Sequence, residues 1–169
     1  ITVSADGKDL LGVSTSEANG KMHGPDPALA ELQAQFDKAV GEKRSHIISL
    51  SRDRSRMLVR VTRPDNPGAI YFYDVADGTL RQIARLNETI GARTLSPVRM
   101  VKYKARDGLE IEAVLTLPKG AAARNLPVVM LPHGGPWGQD GLTYDYWAQF
   151  IASRGYAVMQ PNFRGSTGY

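Results

Sequence analysis

The 169 residues are 42% apolar and 22% charged, a balance that excludes a disordered chain and leaves room for one domain or parts of two. The absence of cysteine excludes a disulfide framework and a thiolate metal site, and no apolar run approaches the ~20 residues of a membrane-spanning helix. The net charge of +4 is mildly basic, but the cluster Arg52, Arg54, Arg56, Arg60 and Arg63 lacks the interleaved aromatics of a nucleic-acid face, so it reads as the solvated side of a strand.

The first part of the chain is short strands punctuated by turns. "SADGKDLLGVST" (4–15) places an Asp-Gly turn before an apolar strand. "GPDPALAELQAQFDKAVG" (24–41) predicts a helix, with Asp26 as N-cap and Pro27 at the first helical position. Its apolar residues Leu29, Leu32, Phe36 and Val40 recur every three or four positions and form one stripe, and Gly41 is placed to end it. "HIISLSRDRSRMLVRVTR" (46–63) predicts two strands around a Ser-Arg-Asp-Arg-Ser turn. "GAIYFYDVADGTLRQIARL" (68–86) repeats the scheme around Asp77-Gly78. Strands at this spacing suggest an antiparallel meander and hint at propeller blades.

A second texture begins after Pro97. "VRMVKYKARDGLEIEAVLTLP" (98–118) predicts a hairpin around Asp107-Gly108. "LPVVMLP" (126–132) is a nearly continuous apolar run, the pattern of a strand buried on both faces. "LTYDYWAQFIASRG" (142–155) reads as a helix with Tyr146, Trp147, Phe150 and Ile151 on one face and Gly155 as its stop. "YAVMQP" (156–161) is a further buried strand. Strand, loop, helix, strand is a βαβ unit and implies parallel pairing with a right-handed crossover. Two core strands and one helix cannot cover both faces of such a sheet, so an α/β domain begins near residue 98 and is unfinished at 169. With no initiator methionine, a strand at Ile1 and a Gly-Ser-Thr-Gly-Tyr run at Tyr169, both ends read as cut from something longer. No signal peptide is visible, which leaves the compartment undecided.

"HGGP" (133–136) lies between the apolar strand and the aromatic-rich helix. Its plain reading is a Gly-Gly turn. Its functional reading is an oxyanion-hole loop, because in α/β hydrolases this connection supplies a backbone N–H. A donor about 3 Å from a developing oxyanion needs backbone that approaches substrate with no Cβ in the way. Gly135 is the first candidate for that N–H, with Gly134 beside it. "NFRGSTGY" (162–169) reads as a Gly-rich connecting loop. Ser166 has glycines at −1 and +2, not the Gly-x-Ser-x-Gly spacing of a nucleophile elbow, and no other serine fits either. The histidines His23, His46 and His133 have no metal-ligand spacing. His23 reads as a loop residue and His46 as the entry to a strand. His133 precedes every slot of the Ser, Asp, His order of this fold, so it reads as a brace for the loop or a substrate contact rather than the catalytic base.

The stretches 95–120, 127–138 and 146–169, following propeller-like strands, resemble the prolyl oligopeptidase family of serine peptidases, in particular its acylaminoacyl-peptidase and dipeptidyl-aminopeptidase-like bacterial members. The resemblance implies a mixed fold: the C-terminal part of a β-propeller over 1–95, then the N-terminal part of an α/β-hydrolase domain over 96–169, both incomplete. It implies Ser-His-Asp cleavage of short peptides through an acyl-enzyme. Only His133, Gly134 and Gly135 carry over as site residues, and the triad is expected beyond Tyr169. Some relatives have a tyrosine hydroxyl where His133 stands, so the hole here should rest on backbone donors. The paired glutamates by which some relatives grip a free N-terminus are not identifiable. Expected partners are a peptide substrate and the remainder of the hydrolase domain, as the same or a separate chain. A homo-oligomer stays open, and no cofactor, nucleic acid or membrane span is expected. An esterase using the same loop, and a propeller-based binding module with a vestigial hydrolase domain, are the alternatives. The 169 residues by themselves are expected to be inactive and poorly stable.

Overall fold

A computed structural model of the chain describes residues 2–3, 7–8, 10–14, 22–24, 26–40, 45–135 and 137–168. Asp6, of the expected first turn, and Gly41, the expected helix stop, lie outside the described residues. The chain divides into two compact units, Ile1–Thr62 with Pro67–Gly91, and Arg63–Asn66 with Ala92–Tyr169.

In the first unit, β1 (Thr2–Val3), β2 (Leu10–Ser14) and β3 (Met22–His23) form a three-stranded antiparallel sheet. His23 is therefore in a strand, its backbone opposite Val13, and not in the expected loop. Helix α1 (Pro27–Val40) starts where expected, because Asp26 Oδ1 accepts from the N–H groups of Ala28 and Leu29. Four strands follow in meander order: β4 (Ser45–Leu50), β5 (Arg56–Arg63), β6 (Asn66–Asp74) and β7 (Leu80–Arg85). His46 sits at the entry to β4, as read from the sequence.

The β4–β5 turn is organised by one carboxylate. Asp53 Oδ1 accepts from Ser51 Oγ at 2.7 Å, Ser55 Oγ at 2.9 Å and the Ser55 N–H at 3.2 Å. These bonds hold its pKa down at about 2. Alternation along β5 turns Met57, Val59 and Val61 inward and Arg56 and Arg60 outward. The expected basic cluster is thus an outer surface, and part of it is neutralised locally by Arg54–Asp26 (2.7 Å), Arg56–Asp74 (3.4 Å) and Arg63–Asp65 (3.5 Å). The inward residues meet Leu32 and Phe36 of α1 and Tyr73 of β6 in a single core. Each such side chain contributes about 1.5–3 kcal/mol by leaving water. The short helix α2 (Glu88–Gly91), capped by Asn87, was not anticipated from the sequence.

In the second unit, β8 (Val98–Lys104) and β9 (Glu110–Thr116) form the expected hairpin at Asp107-Gly108. β10 (Val128–Met130), α3 (Tyr146–Ala152) and β11 (Ala157–Pro161) complete a mixed sheet of order β10-β11-β9-β8. β10 pairs parallel with β11, and β11 pairs antiparallel with β9. Two expectations need correction. "LPVVMLP" is not buried on both faces: only Val128–Met130 is strand, it lies at the sheet edge, and Val128 and Met130 are 56% and 53% exposed. The helix is also shorter than 142–155, and the face it buries is Ala148, Gln149 and Ala152 against Val158, while Tyr146, Trp147 and Phe150 stay exposed. Small residues win that face because they let the helix backbone lie close on β11.

Helix α3 is fixed by polar contacts. Asp145 caps it, with Oδ1 accepting from the Trp147 and Ala148 N–H groups and Oδ2 accepting from Gln160 Nε2. The buried Gln149 amide is satisfied by the Ser96 N–H, the Ser96 carbonyl and the Pro64 carbonyl. Gly155, with φ 94°, ends the helical turn as expected. Among the described residues no helix is long and apolar enough to cross a membrane.

Candidate functional site

The site is a loop leaving the edge strand. Leu131 keeps the parallel register one residue past β10 by donating its N–H to the Met159 carbonyl at 2.9 Å. The chain then leaves the sheet at Pro132 and runs through His133, Gly134 and Gly135, so the three residues singled out from the sequence sit together just beyond the C-terminal end of a parallel strand. In open α/β sheets that is where ligands bind.

The glycines at 134, 135 and 138 differ in what they require. A Cβ on Gly134 would meet open space. A Cβ on Gly135 would fall 2.7 Å from the Trp137 nitrogen, and one on Gly138 would fall 2.7 Å from the Gly134 oxygen and 2.8 Å from His133 Nδ1. Packing alone therefore demands glycine at 135 and 138. Gly135 is exposed, and among the described residues its N–H has no hydrogen-bond acceptor.

His133 is the organiser of the turn. Its Nδ1 lies 2.7 Å from the Gly134 carbonyl oxygen, and its Nε2 lies 2.7 Å from Ser166 Oγ. A carbonyl can only accept, so Nδ1 carries the hydrogen, and in the neutral ring Nε2 accepts from the Ser166 hydroxyl. The imidazole also stacks on Phe163, with ring centres 4.5 Å apart and planes 17° from parallel.

The residues that sequence reading passed over are those of the second loop. "NFRGSTGY" was expected to be a connection only; its described part is a brace for the first loop. Asn162 reads Asp140 from both sides, accepting the Asp140 N–H at 2.8 Å and donating Nδ2 to the Asp140 carbonyl at 2.9 Å. The Asn162 N–H donates to the Glu112 carbonyl of β9, which ties the brace to the sheet. Thr167 donates its N–H to the Gly138 carbonyl at 2.9 Å. Arg164 pairs with Asp107 at the β8–β9 turn. The only signal in the sequence was a polar, glycine-rich loop directly after a buried strand.

Asp140 carries an unsatisfied oxygen beside this loop. Its Oδ2 is buried and has no hydrogen-bond partner among the described residues. Burial, aided by the nearby Asp145 carboxylate and opposed by His133, raises its pKa above the ordinary value of 3.8. A raised carboxyl binds its proton more tightly in the folded state. The charged form therefore costs nothing below about pH 3.8, and stability declines as pH rises through the folded pKa. Asp140→Asn removes that cost. The variant's thermal midpoint is expected to gain on the wild type from pH 4 toward pH 7, and a gap that shrinks over that range would contradict the assignment. Among the described residues no group of three or more histidine or acidic side chains could hold a metal ion.

No family model matches the chain. The dipeptidyl aminopeptidase BIII of Pseudoxanthomonas mexicana is 34% identical over 153 residues, which is 85% of this chain and 22% of that protein. A peptidase of Bacillus subtilis (strain 168), YuxL, is 30% identical over 122 residues, 72% of this chain and 19% of its own length. Among solved structures, the acylaminoacyl peptidase of Pyrococcus horikoshii superposes with a TM-score of 0.55 at 29% identity, over 75% of this chain and 20% of that one. The chain thus spans about a fifth of the length of the relatives it matches.

Proposed function

The chain belongs to the prolyl oligopeptidase family of serine peptidases, and on that premise we propose that it contributes the oxyanion-hole loop of a peptidase whose triad is supplied by sequence outside these 169 residues. In this reading 1–95 is the C-terminal part of a β-propeller and 96–169 the N-terminal part of an α/β-hydrolase domain. The meander β4–β7 has the form of one propeller blade. The parallel pair β10–β11 joined through α3 has the form of a hydrolase core unit.

The observation that supports the reading most is that Gly135, in the loop after β10, is exposed and its N–H has no hydrogen-bond acceptor among the described residues. A serine nucleophile attacks the scissile carbonyl carbon, and the carbonyl oxygen gains the charge. The Gly135 N–H donates to that oxygen, the serine's proton passes through the triad histidine to the leaving amine as the C–N bond breaks, and water then hydrolyses the acyl-enzyme that remains. One such donor stabilises the transition state by on the order of 3 kcal/mol. No Gly-x-Ser-x-Gly occurs in the chain, so the nucleophile must come from elsewhere in the protein.

The test uses the full-length protein with an aminoacyl nitroanilide, a short acyl ester and a fluorophosphonate label. Amide turnover with labelling of a serine outside these residues is the expected result. Ester turnover beside negligible amide turnover would make it an esterase, and a protein that neither turns over nor labels would be a binding module.

A further inference from the structure

The pair His133–Ser166 looks at first like a nucleophile and its base. The hydroxyl is 2.7 Å from Nε2, but Ser166 is only 7% exposed, and the far side of the ring is bonded to a backbone carbonyl instead of a carboxylate. We propose that Ser166 is a positioning residue: acting through His133, it holds the Gly134–Gly135 peptide plane so that the Gly135 N–H faces outward. This rests on the oxyanion reading above and adds to it what aims the donor.

The peptide unit itself carries the argument. In a trans peptide, the carbonyl of one residue and the N–H of the next lie in the peptide plane and point in opposite directions. His133 Nδ1–H draws the Gly134 carbonyl inward, and the Gly135 N–H must then point away from the ring. Neither glycine has a side chain to resist rotation of that plane, and the Cβ position of Gly134 is open space. The orientation therefore needs an external hold.

The hold depends on Nδ1 bearing the hydrogen and on the ring staying where Nδ1 reaches the Gly134 carbonyl. An Nε2–H ring would turn a lone pair toward the Gly134 carbonyl and release it. The Gly134 carbonyl can only accept and so takes the Nδ1–H form, and the Ser166 hydroxyl meets that form by donating to Nε2, which anchors the ring where Nδ1 reaches the carbonyl. Ser166 is itself fixed: its N–H donates to the Phe163 carbonyl at 3.0 Å, and Phe163 stacks on the same ring.

The experiment takes the full-length protein with Ser166→Ala and Ser166→Thr. Losing a hydrogen bond that only positions the donor is expected to lower kcat about tenfold with KM nearly unchanged. Affinity for a peptide aldehyde, whose tetrahedral adduct needs the same N–H, should fall by the same factor. Threonine keeps the hydroxyl and should restore most of both. A crystal structure of Ser166→Ala should show the Gly134 carbonyl turned off His133 Nδ1. Wild-type kcat in Ser166→Ala, an unmoved 134–135 peptide, or fluorophosphonate attached to Ser166 would each overturn the proposal. If the wild type cleaves no amide, the peptidase reading fails separately, and the crystal structure still decides whether Ser166 holds the plane.

Discussion

Gly135→Ala in the full-length protein is expected to lower kcat for an aminoacyl amide by about 10²–10³-fold, the loss typical of one oxyanion donor. The added Cβ would lie 2.7 Å from the Trp137 nitrogen, closer than any real contact, so the loop backbone must move and carry the N–H with it. Gly134→Ala is the matched control, because its Cβ enters open space. That variant should keep kcat within a few-fold and show any loss mainly in KM, through contact with substrate. Steady-state kinetics of both variants, with circular dichroism to confirm folding, decide the point. Near-wild-type kcat in Gly135→Ala would remove this residue from the chemistry.

Phe36→Ala is expected to cost about 3–5 kcal/mol of stability, the range for truncating a fully buried aromatic ring. Phe36 is 0% exposed and stands edge-on to Tyr73, with centroids 5.7 Å apart and planes at 87°, and to Tyr71 at 6.4 Å. With Leu32, it is a side chain through which α1 meets Met57, Val59 and Val61. Neighbours drawn from a helix and the adjacent strands β5 and β6 cannot collapse together into the hole without breaking the sheet. Urea unfolding monitored by tyrosine fluorescence should show a lower midpoint with an unchanged slope. A loss below about 1 kcal/mol would mean that α1 does not rely on this ring for its packing.

Much of this was legible in advance wherever the deciding interaction is short in sequence. Asp26 and Pro27 start α1, Asp107-Gly108 turns the β8–β9 hairpin, and the glycines of the 133–138 loop follow a strand, all through contacts within a few residues. The apolar content of "LPVVMLP" marked a strand, but not that it would be the edge of its sheet. Hydrophobicity says that a strand can be buried on both faces; whether neighbours cover those faces depends on how far the sheet extends. The aromatic stripe Tyr146, Trp147, Phe150 was likewise visible as a stripe, yet the helix buries its alanines.

Local residue patterns thus account for the order of strand, loop, helix and strand, the turn positions, and the candidate donor at Gly135. Tertiary structure alone decided what aims that donor. Ser166 lies 33 residues from His133, and Asn162 lies 22 from Asp140. They meet because β11 returns parallel to β10 and delivers the loop after it to the same sheet end. No local propensity encodes such a meeting. It follows from strand register, which is set by the packing of α3 on β11 and the pairing of β9 with β11.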